Sequence, residues 1–380
     1  MTEIIAQNIR SKLHESKRLV VKIGSALLSR SDETFQGFAK SISELNRAGY
    51  STFIVSSGAI AQGLKVIGQT DRPQDVVTQQ ALAALGQPEL MAQWRNAFAN
   101  HEKMVAQILL THADLESRER FINARRAILA LENRGIIPIG NENDTTATEE
   151  IRVGDNDQLA AHIANLVSAD LLILLTSVDG LLKPSTTQSS NDTRVPYIHD
   201  LQEASKWVLT GEKSNLGTGG MQTKLTAAEI AANRGIPTVI ANGEDLKILQ
   251  AILGGEDVGT LIAPTQKLKS RKHWIAYTLK PKGKVVVDEG AIEALVNGGK
   301  SLLATGITSV CGNFSRGAMV EVIGKDGQSL ARGLVQYNSQ ELDRIQGLNT
   351  DEIVKQLGYL PTQEVIHRDD LVIIPPPPEL

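Results

Sequence analysis

Apolar and polar positions take turns in blocks along the first two thirds of the chain. Short runs rich in Val, Ile and Leu stand at Leu19–Ile23, Thr52–Val55, Val105–Leu110, Ile136–Ile139, Leu171–Leu175 and Thr238–Ala241. Each is nearly continuous and bounded by small or polar residues, which predicts strands buried on both faces. Helical spacing of apolar residues predicts helices within Phe38–Asn46, Gln79–Phe98, Phe121–Asn133 and Gln158–Val167. Strand and helix in alternation predict an α/β unit over residues 1–264, a mainly parallel sheet sandwiched by helices. Ligands of such sheets bind beyond the carboxyl ends of the strands, where this chain sets its small and polar residues.

The pattern then changes. Lys183 to Leu216 opens as a polar, aperiodic stretch and predicts a mobile segment. Residues 265–283 are charged and read as a linker. Beyond it, strands at Lys284–Val287, Met319–Ile323 and Gly333–Tyr337, a hairpin signal at Gly324–Gly327 and one helix near Ala291–Asn297 predict a small β-rich barrel over residues 284–362. Residues 363–380 read as a tail whose Pro-rich end, Ile374–Leu380, is solvated.

Bulk properties narrow the picture. A length of 380 residues suffices for two cores, and a net charge of −4 gives no general attraction to nucleic acid or anionic membrane. No run of eighteen apolar residues is present, and the start lacks the basic and apolar stretches of a signal peptide. The one cysteine, Cys311, excludes an intramolecular disulfide framework and a Cys-rich zinc site. A cytoplasmic protein is the simplest expectation.

The chemistry concentrates at the predicted strand ends. Gly217-Thr-Gly-Gly-Met-Gln-Thr-Lys224 is a glycine loop leading into a helix. Such a loop offers backbone N–H groups and a positive dipole end to phosphate, although it also serves as a plain turn. Its spacing is not that of a Walker A loop. Lys22 sits inside the apolar run before Gly24-Ser25, so its ammonium either snorkels out or aims at an anion. Ser56 and Ser57, ahead of Gly58, can cap a helix or bind a ligand oxygen. Asn141-Glu-Asn-Asp144 carries more polar groups than a tight turn needs, and Glu142 and Asp144 read with it as a site for a polar substrate. Asp155 and Asp157 flank Asn156 at a helix start, suited to Mg²⁺ or to positioning a lysine. Thr176 and Ser177 close a strand where adenine or ribose could lie. No histidine falls in these motifs, so no Ser-His-Asp or Cys-His machinery is visible. Phosphoryl transfer fits, since positioning and charge neutralisation contribute most of its catalysis. A carboxylate acceptor, already ionised at neutral pH, would need no general base.

With Val20-Val-Lys-Ile-Gly-Ser25, Ser56-Ser-Gly-Ala59, Asn141-Glu-Asn-Asp144, Val153-Gly-Asp-Asn-Asp157 and Gly217–Lys224, the chain resembles the amino acid kinase family. The likeness is greatest to members that phosphorylate the γ-carboxylate of L-glutamate with ATP and Mg²⁺, the first step of proline synthesis. The second unit, with Val287-Asp-Glu-Gly-Ala291 and Gly312-Asn-Phe-Ser-Arg-Gly317, resembles a PUA domain. The resemblance implies that Lys22 and Lys224 neutralise the phosphoryl group in flight, with Asp157 holding them in place and Gly24 and Gly58 presenting N–H groups. It implies that Ser57, Asp144 and Asn156 hold glutamate, and that Thr176, Ser177, Thr218, Gly219, Gly220, Met221, Gln222, Thr223 and Lys224 surround ATP, with Lys22 also on the nucleotide. Ser56 replaces an expected threonine and Ser177 an expected aspartate. L-Proline as feedback inhibitor, a separate glutamyl-phosphate reductase and a homo-oligomer are further implications. RNA binding by the PUA-like unit is disfavoured: residues 275–355 hold nine Lys or Arg against nine Asp or Glu.

Overall fold

The computed structural model describes residues 2–146, 155–183, 193–209, 220–264, 279–359 and 362–374. The chain forms two units, Met1–Lys267 and Leu268–Leu380. In the first, strands β1 (Arg18–Ile23), β2 (Ser51–Ser56), β3 (Val105–Leu110), β4 (Ile137–Glu142) and β5 (Leu171–Thr176) alternate with helices, as their apolar runs predict. The short strands β6 (Leu182–Lys183), β7 (Thr193–Arg194) and β8 (Tyr197–Ile198) follow, then β9 (Thr238–Asn242) and β10 (Thr260–Ile262). The helices are α1 (Thr2–Arg10), α2 (Ser25–Leu28), α3 (Asp32–Arg47), α4 (Ala59–Val66), α5 (Val76–Ala99), α6 (His112–Glu116), α7 (Arg118–Glu132), α8 (Asp155–Val167), α9 (Leu201–Leu209), α10 (Met221–Ala232) and α11 (Ile248–Leu253).

Eight strands make one sheet in the order β3-β4-β2-β1-β5-β9-β10-β8. All neighbours pair in parallel except β9 and β10. The chain builds outward from β1 through β2, then returns to lay β5 on the other side of β1. That reversal opens a crevice at the carboxyl ends of β1, β2 and β5. Alternation along β1 then sorts its side chains. Leu19, Val21 and Ile23 join a core with Phe35 and Phe38 of α3, Trp94 and Phe98 of α5, and Leu249 of α11. Lys22 shares the other side with Val20, the side that α8 and α10 cover. Those two helices are lined with small buried residues, Ala160, Ala161 and Ala164 on one and Ala227, Ala228 and Ala231 on the other. Small residues let the helices pack closely, so their first turns meet above the strand ends.

Glycine sets the contact between α4 and α5. A Cβ on Gly86 would lie 1.9 Å from the Ala59 carbonyl oxygen, and one on Gly63 would lie 2.1 Å from that of Leu82. Backbone therefore meets backbone, and α5 seats directly beside the turn that leaves β2.

Several expectations need correction. The segment from Lys183 to Leu216 holds β7, β8 and α9, and Arg194 is tied to Asp257 by a bidentate ion pair at 3.0 to 3.2 Å; residues 184–192 and 210–219 lie outside the described ones. Strands of two or three residues are too short to show a period, so β8 and β10 escape a reading of the pattern.

The second unit carries a five-stranded sheet, order β13-β11-β14-β15-β17, from β11 (Gly283–Val287), β13 (Ile307–Gly312), β14 (Met319–Ile323), β15 (Ser329–Leu334) and β17 (Leu371–Ile373). A second pair joins β12 (Leu302–Leu303) to β16 (Glu364–Ile366). Only β11 and β14 run parallel. Val285, Val320, Val322, Tyr337 and Val365 are among its fully buried residues. Here too the pattern misleads in places. Residues 363–373, expected in a tail, supply β16 and β17, while Gly283, expected in the linker, opens β11. Val335 N–H still bonds the Ala318 carbonyl across from it, but Gln336 N–H turns to that of Val365, and the strand ends before Tyr337. Beside the expected helix, found at Glu289–Val296, stand two others, Ser339–Ile345 and Thr350–Leu357. Residues 265–278 and 375–380 lie outside the described ones. No helix among the described residues is long and apolar enough to cross a membrane.

Candidate active site

Three charged groups meet where β1, α8 and α10 converge. Lys22 comes from the last turn of the buried β1 run, Asp157 from the first turn of α8 and Lys224 from the first turn of α10. Lys22 Nζ lies 2.7 Å from Asp157 Oδ1, and Lys224 Nζ lies 3.1 Å from Asp157 Oδ2. Their relative exposures are 7%, 4% and 1% for Lys22, Lys224 and Asp157. Thr223 Oγ1 lies 2.8 Å from Asp157 Oδ2 and from the Gly220 carbonyl oxygen, pinning the entrance of α10. Burial alone would raise the Asp157 pKa, but the two ammonium groups and the hydrogen bonds hold it below the usual carboxylate range. Burial pushes the Lys224 ammonium below the usual lysine value, with Asp157 opposing the change and Lys22 adding to it. Among the described residues two buried ammonium groups converge on the one Asp157 carboxylate. A site that pays so much desolvation is suited to an incoming anion.

Three helices of this unit open on glycine. Gly24, extended at φ −74° and ψ 152°, precedes α2, and a Cβ on it would lie 3.8 Å from Lys22 Nζ. Gly58 precedes α4 with φ +119°, a conformation that favours glycine. Gly220 precedes α10, which has no side-chain cap. The first N–H groups of that twelve-residue helix are left for a ligand. Of the residues expected around the nucleotide, Met221 and Thr223 are half-buried and Gln222 is exposed. Thr176 is half-buried at the end of β5, its carbonyl accepting from Gly243 N–H, while Ser177 is exposed. Thr218 and Gly219 lie outside the described residues.

A second cluster adjoins the first. Asn156 Nδ2 donates to Ser57 Oγ and to Asn141 Oδ1, each at 2.8 Å. The neighbouring Ser56 behaves differently. It is fully buried, accepts from Trp94 Nε1 at 2.9 Å and serves to anchor the strand end to α5. Successive strand residues face opposite ways, so only Ser57 reaches the cleft. The same rule separates Asn141 from Glu142, which instead lines a small cavity with His112, Leu115 and His162. Asp144 lies half-buried in the turn after β4. Burial raises its pKa above the usual carboxylate value, and the positive charge of Arg72 partly counters this.

Three contributors were not singled out from the sequence. Arg72, on the connection between α4 and α5, acts on Asp144. Trp94 holds Ser56. Gln87 bonds Asn141 across 54 residues of sequence. An arginine in a polar loop between Gly68 and Pro73 and a helical glutamine beside a proline carry no signal of this kind.

Residues 17–242 match the sequence profile of the amino acid kinase family, and residues 283–357 that of the PUA domain. The glutamate 5-kinase of Geobacter sulfurreducens is 44% identical over 368 residues, covering 95% of this chain and 99% of that protein. A glutamate 5-kinase of Pseudomonas fluorescens is 44% identical over 372 residues, covering 96% of this chain and all of its own. That of Carboxydothermus hydrogenoformans is 42% identical over 372 residues, with the same coverage. These similarities run through both units.

Proposed function

The chain belongs to the amino acid kinase family, and from that premise we propose that it transfers the γ-phosphoryl group of ATP to the γ-carboxylate of L-glutamate. The observation that carries this reading is the convergence of the buried Lys22 and Lys224 ammonium groups on Asp157, set beside the Ser57–Asn156 cluster at the sheet's switch point. The near full-length likeness to glutamate 5-kinases supports the choice of acceptor.

In the reaction a γ-carboxylate oxygen of glutamate attacks the γ-phosphorus, the bond to the bridging oxygen of ADP breaks, and an acyl phosphate and ADP result. Lys22 and Lys224 neutralise the charge on the transferring group, and the N–H groups of Gly24 and Gly58 donate to its oxygens. Asp157 holds both lysines; with its pKa depressed and its oxygens on ammonium groups it is a poor base. None is required, because the acceptor carries no proton at neutral pH. Ser57, Asn156 and Asp144 take the amino acid, Asp144 facing its ammonium. Gly220, Met221, Gln222 and Thr223 cover the nucleotide phosphates together with Thr218 and Gly219, and Thr176 and Ser177 flank the nucleoside.

Mg²⁺ enters with ATP in this reading. No group of three metal-ligating side chains converges among the described residues, and Asp157 is engaged by lysines. The ion's ligands would then be phosphate oxygens and water, the usual arrangement for Mg²⁺ on a nucleotide. The acyl phosphate hydrolyses readily, so a separate reductase takes it in a cytoplasmic setting. L-Proline feedback and assembly as a homo-oligomer complete the proposal.

Trapping the product with hydroxylamine tests it. Hydroxamate should form with L-glutamate and ATP, and far less with aspartate or N-acetylglutamate; its absence with glutamate removes the reading. Asp144 adds a pH signature. Its raised pKa means that it gains a proton on mild acidification, earlier than a free aspartate, and a neutral carboxyl no longer attracts an ammonium. The KM for glutamate should therefore climb as the solution is acidified from neutrality, with the KM for ATP nearly level. A flat glutamate KM across that range would take the ammonium away from Asp144.

A further inference from the structure

We propose that Gln87 is a positioning residue for the acceptor substrate, acting through Asn141 and Asn156 on the Ser57 hydroxyl. The proposal rests on the reading that Ser57 faces the glutamate acceptor.

Four side-chain amides join head to tail. Asn156 Nδ2 donates to Asn141 Oδ1 at 2.8 Å, Asn141 Nδ2 to Gln87 Oε1 at 2.9 Å, and Gln87 Nε2 to Gln107 Oε1 at 3.2 Å. The second Nδ2 hydrogen of Asn156 goes to Ser57 Oγ at 2.8 Å, and its Oδ1 accepts from Glu142 N–H at 3.4 Å. Every link points the same way, so each bond polarises the next. An amide has its two donors at one end and its acceptor at the other. Turning any one of them over would set donor against donor or acceptor against acceptor. Asn141 is 3% exposed and has no water to turn to. Its orientation is therefore decided by the acceptor that Gln87 offers.

The consequence falls on Ser57. Both Nδ2 hydrogens of Asn156 are committed, so Asn156 works through the serine and not by a donor of its own. Because Ser57 Oγ accepts from Asn156, its own proton is left for an outside acceptor, and a carboxylate oxygen of the substrate is one. The relay thus presents a hydroxyl donor in fixed orientation to an anionic acceptor. Gln87 is well placed to hold it. Gly86 before it seats α5 against the backbone of α4, and Pro88 after it lies within the same helix.

The test is steady-state kinetics on the full chain with three variants. Gln87→Met keeps the bulk and removes the acceptor; it should raise the glutamate KM about tenfold, with kcat and the ATP KM within about twofold. Gln87→Glu still accepts from Asn141 and should restore the glutamate KM to within about twofold of the parent, Gln107 on the exposed edge turning to suit. In a Ser57→Ala background, Gln87→Met should have no further effect on that KM. An unchanged KM in Gln87→Met, an equal rise in Gln87→Glu, or an additive rise in the double variant overturns the relay. A fall in kcat at constant KM overturns it as well. A parent chain that makes no hydroxamate from glutamate removes the functional reading beneath it, an outcome distinct from an active parent with an indifferent Gln87.

Discussion

Lys224→Ala should lower kcat about a thousandfold and leave the fold intact. The size follows from losing one full positive charge at the transferring group, comparable to losing an oxyanion donor or an arginine finger. The intact fold follows from the arithmetic of the cluster. Asp157 keeps Lys22 at 2.7 Å and the Thr223 hydroxyl at 2.8 Å, so removal of Lys224 leaves one cation on one anion. The ammonium removed is one that burial already disfavours. Thermal unfolding should shift little. Asp157→Asn is the opposite case, because two buried ammonium groups then lose the carboxylate that they share. Breaking a buried pair from that side costs about 3–5 kcal/mol. Single-turnover rates and melting curves for both variants separate the roles. A Lys224→Ala chain with near-normal turnover would exclude that residue from the chemistry.

The second large effect is structural. Gly86→Ala should destabilise the first unit by about 3 kcal/mol or more and abolish most activity. The new methyl would stand 1.9 Å from the Ala59 carbonyl oxygen and 2.2 Å from the Gly63 nitrogen. Both are backbone atoms, so no side chain can swing away, and α5 must move as a body. Overpacking in an interior ordinarily costs about 1–3 kcal/mol, and a clash between two main chains belongs at or beyond the upper end. The displacement would also pull on two contacts of the site, Trp94 with Ser56 and Gln87 with Asn141. Denaturant unfolding monitored through Trp94 would show the shift in midpoint; an unchanged midpoint would mean that the α4–α5 contact is loose.

Much of the first unit was legible because its central strands are buried on both sides. The runs at β1 and β5 are almost wholly apolar, and a lysine inside one of them has few explanations. Asp157 could be placed at a helix start from its spacing, and so could Lys224. The second unit was less legible for a reason that lies in local chemistry. Asn338 with Glu341 and Asn349 with Glu352 form capping boxes at the starts of two helices. Those signals are present in the sequence, but they were outweighed by the surrounding turns and short strands. The strand β17 pairs with β15 some forty residues earlier, and only that pairing gives its three residues a structure. The amide relay was illegible in principle. Its links join α5, β3, β4 and α8, and no spacing along the chain announces a contact made by topology alone. Strand alternation is legible along β4, where Asn141 and Glu142 are successive residues and point to opposite faces.

The gathering of two lysines on Asp157 has a consequence for selectivity. Two ammonium groups in a dry setting draw any small anion, so inorganic phosphate or sulfate should compete weakly with the nucleotide and raise the melting temperature of the empty enzyme. Attraction of this kind cannot tell a nucleotide phosphate from the carboxylate that must accept the phosphoryl group. Keeping the two anions in their own places then falls to groups without charge: peptide N–H donors on one side, and a serine turned by a line of amides on the other.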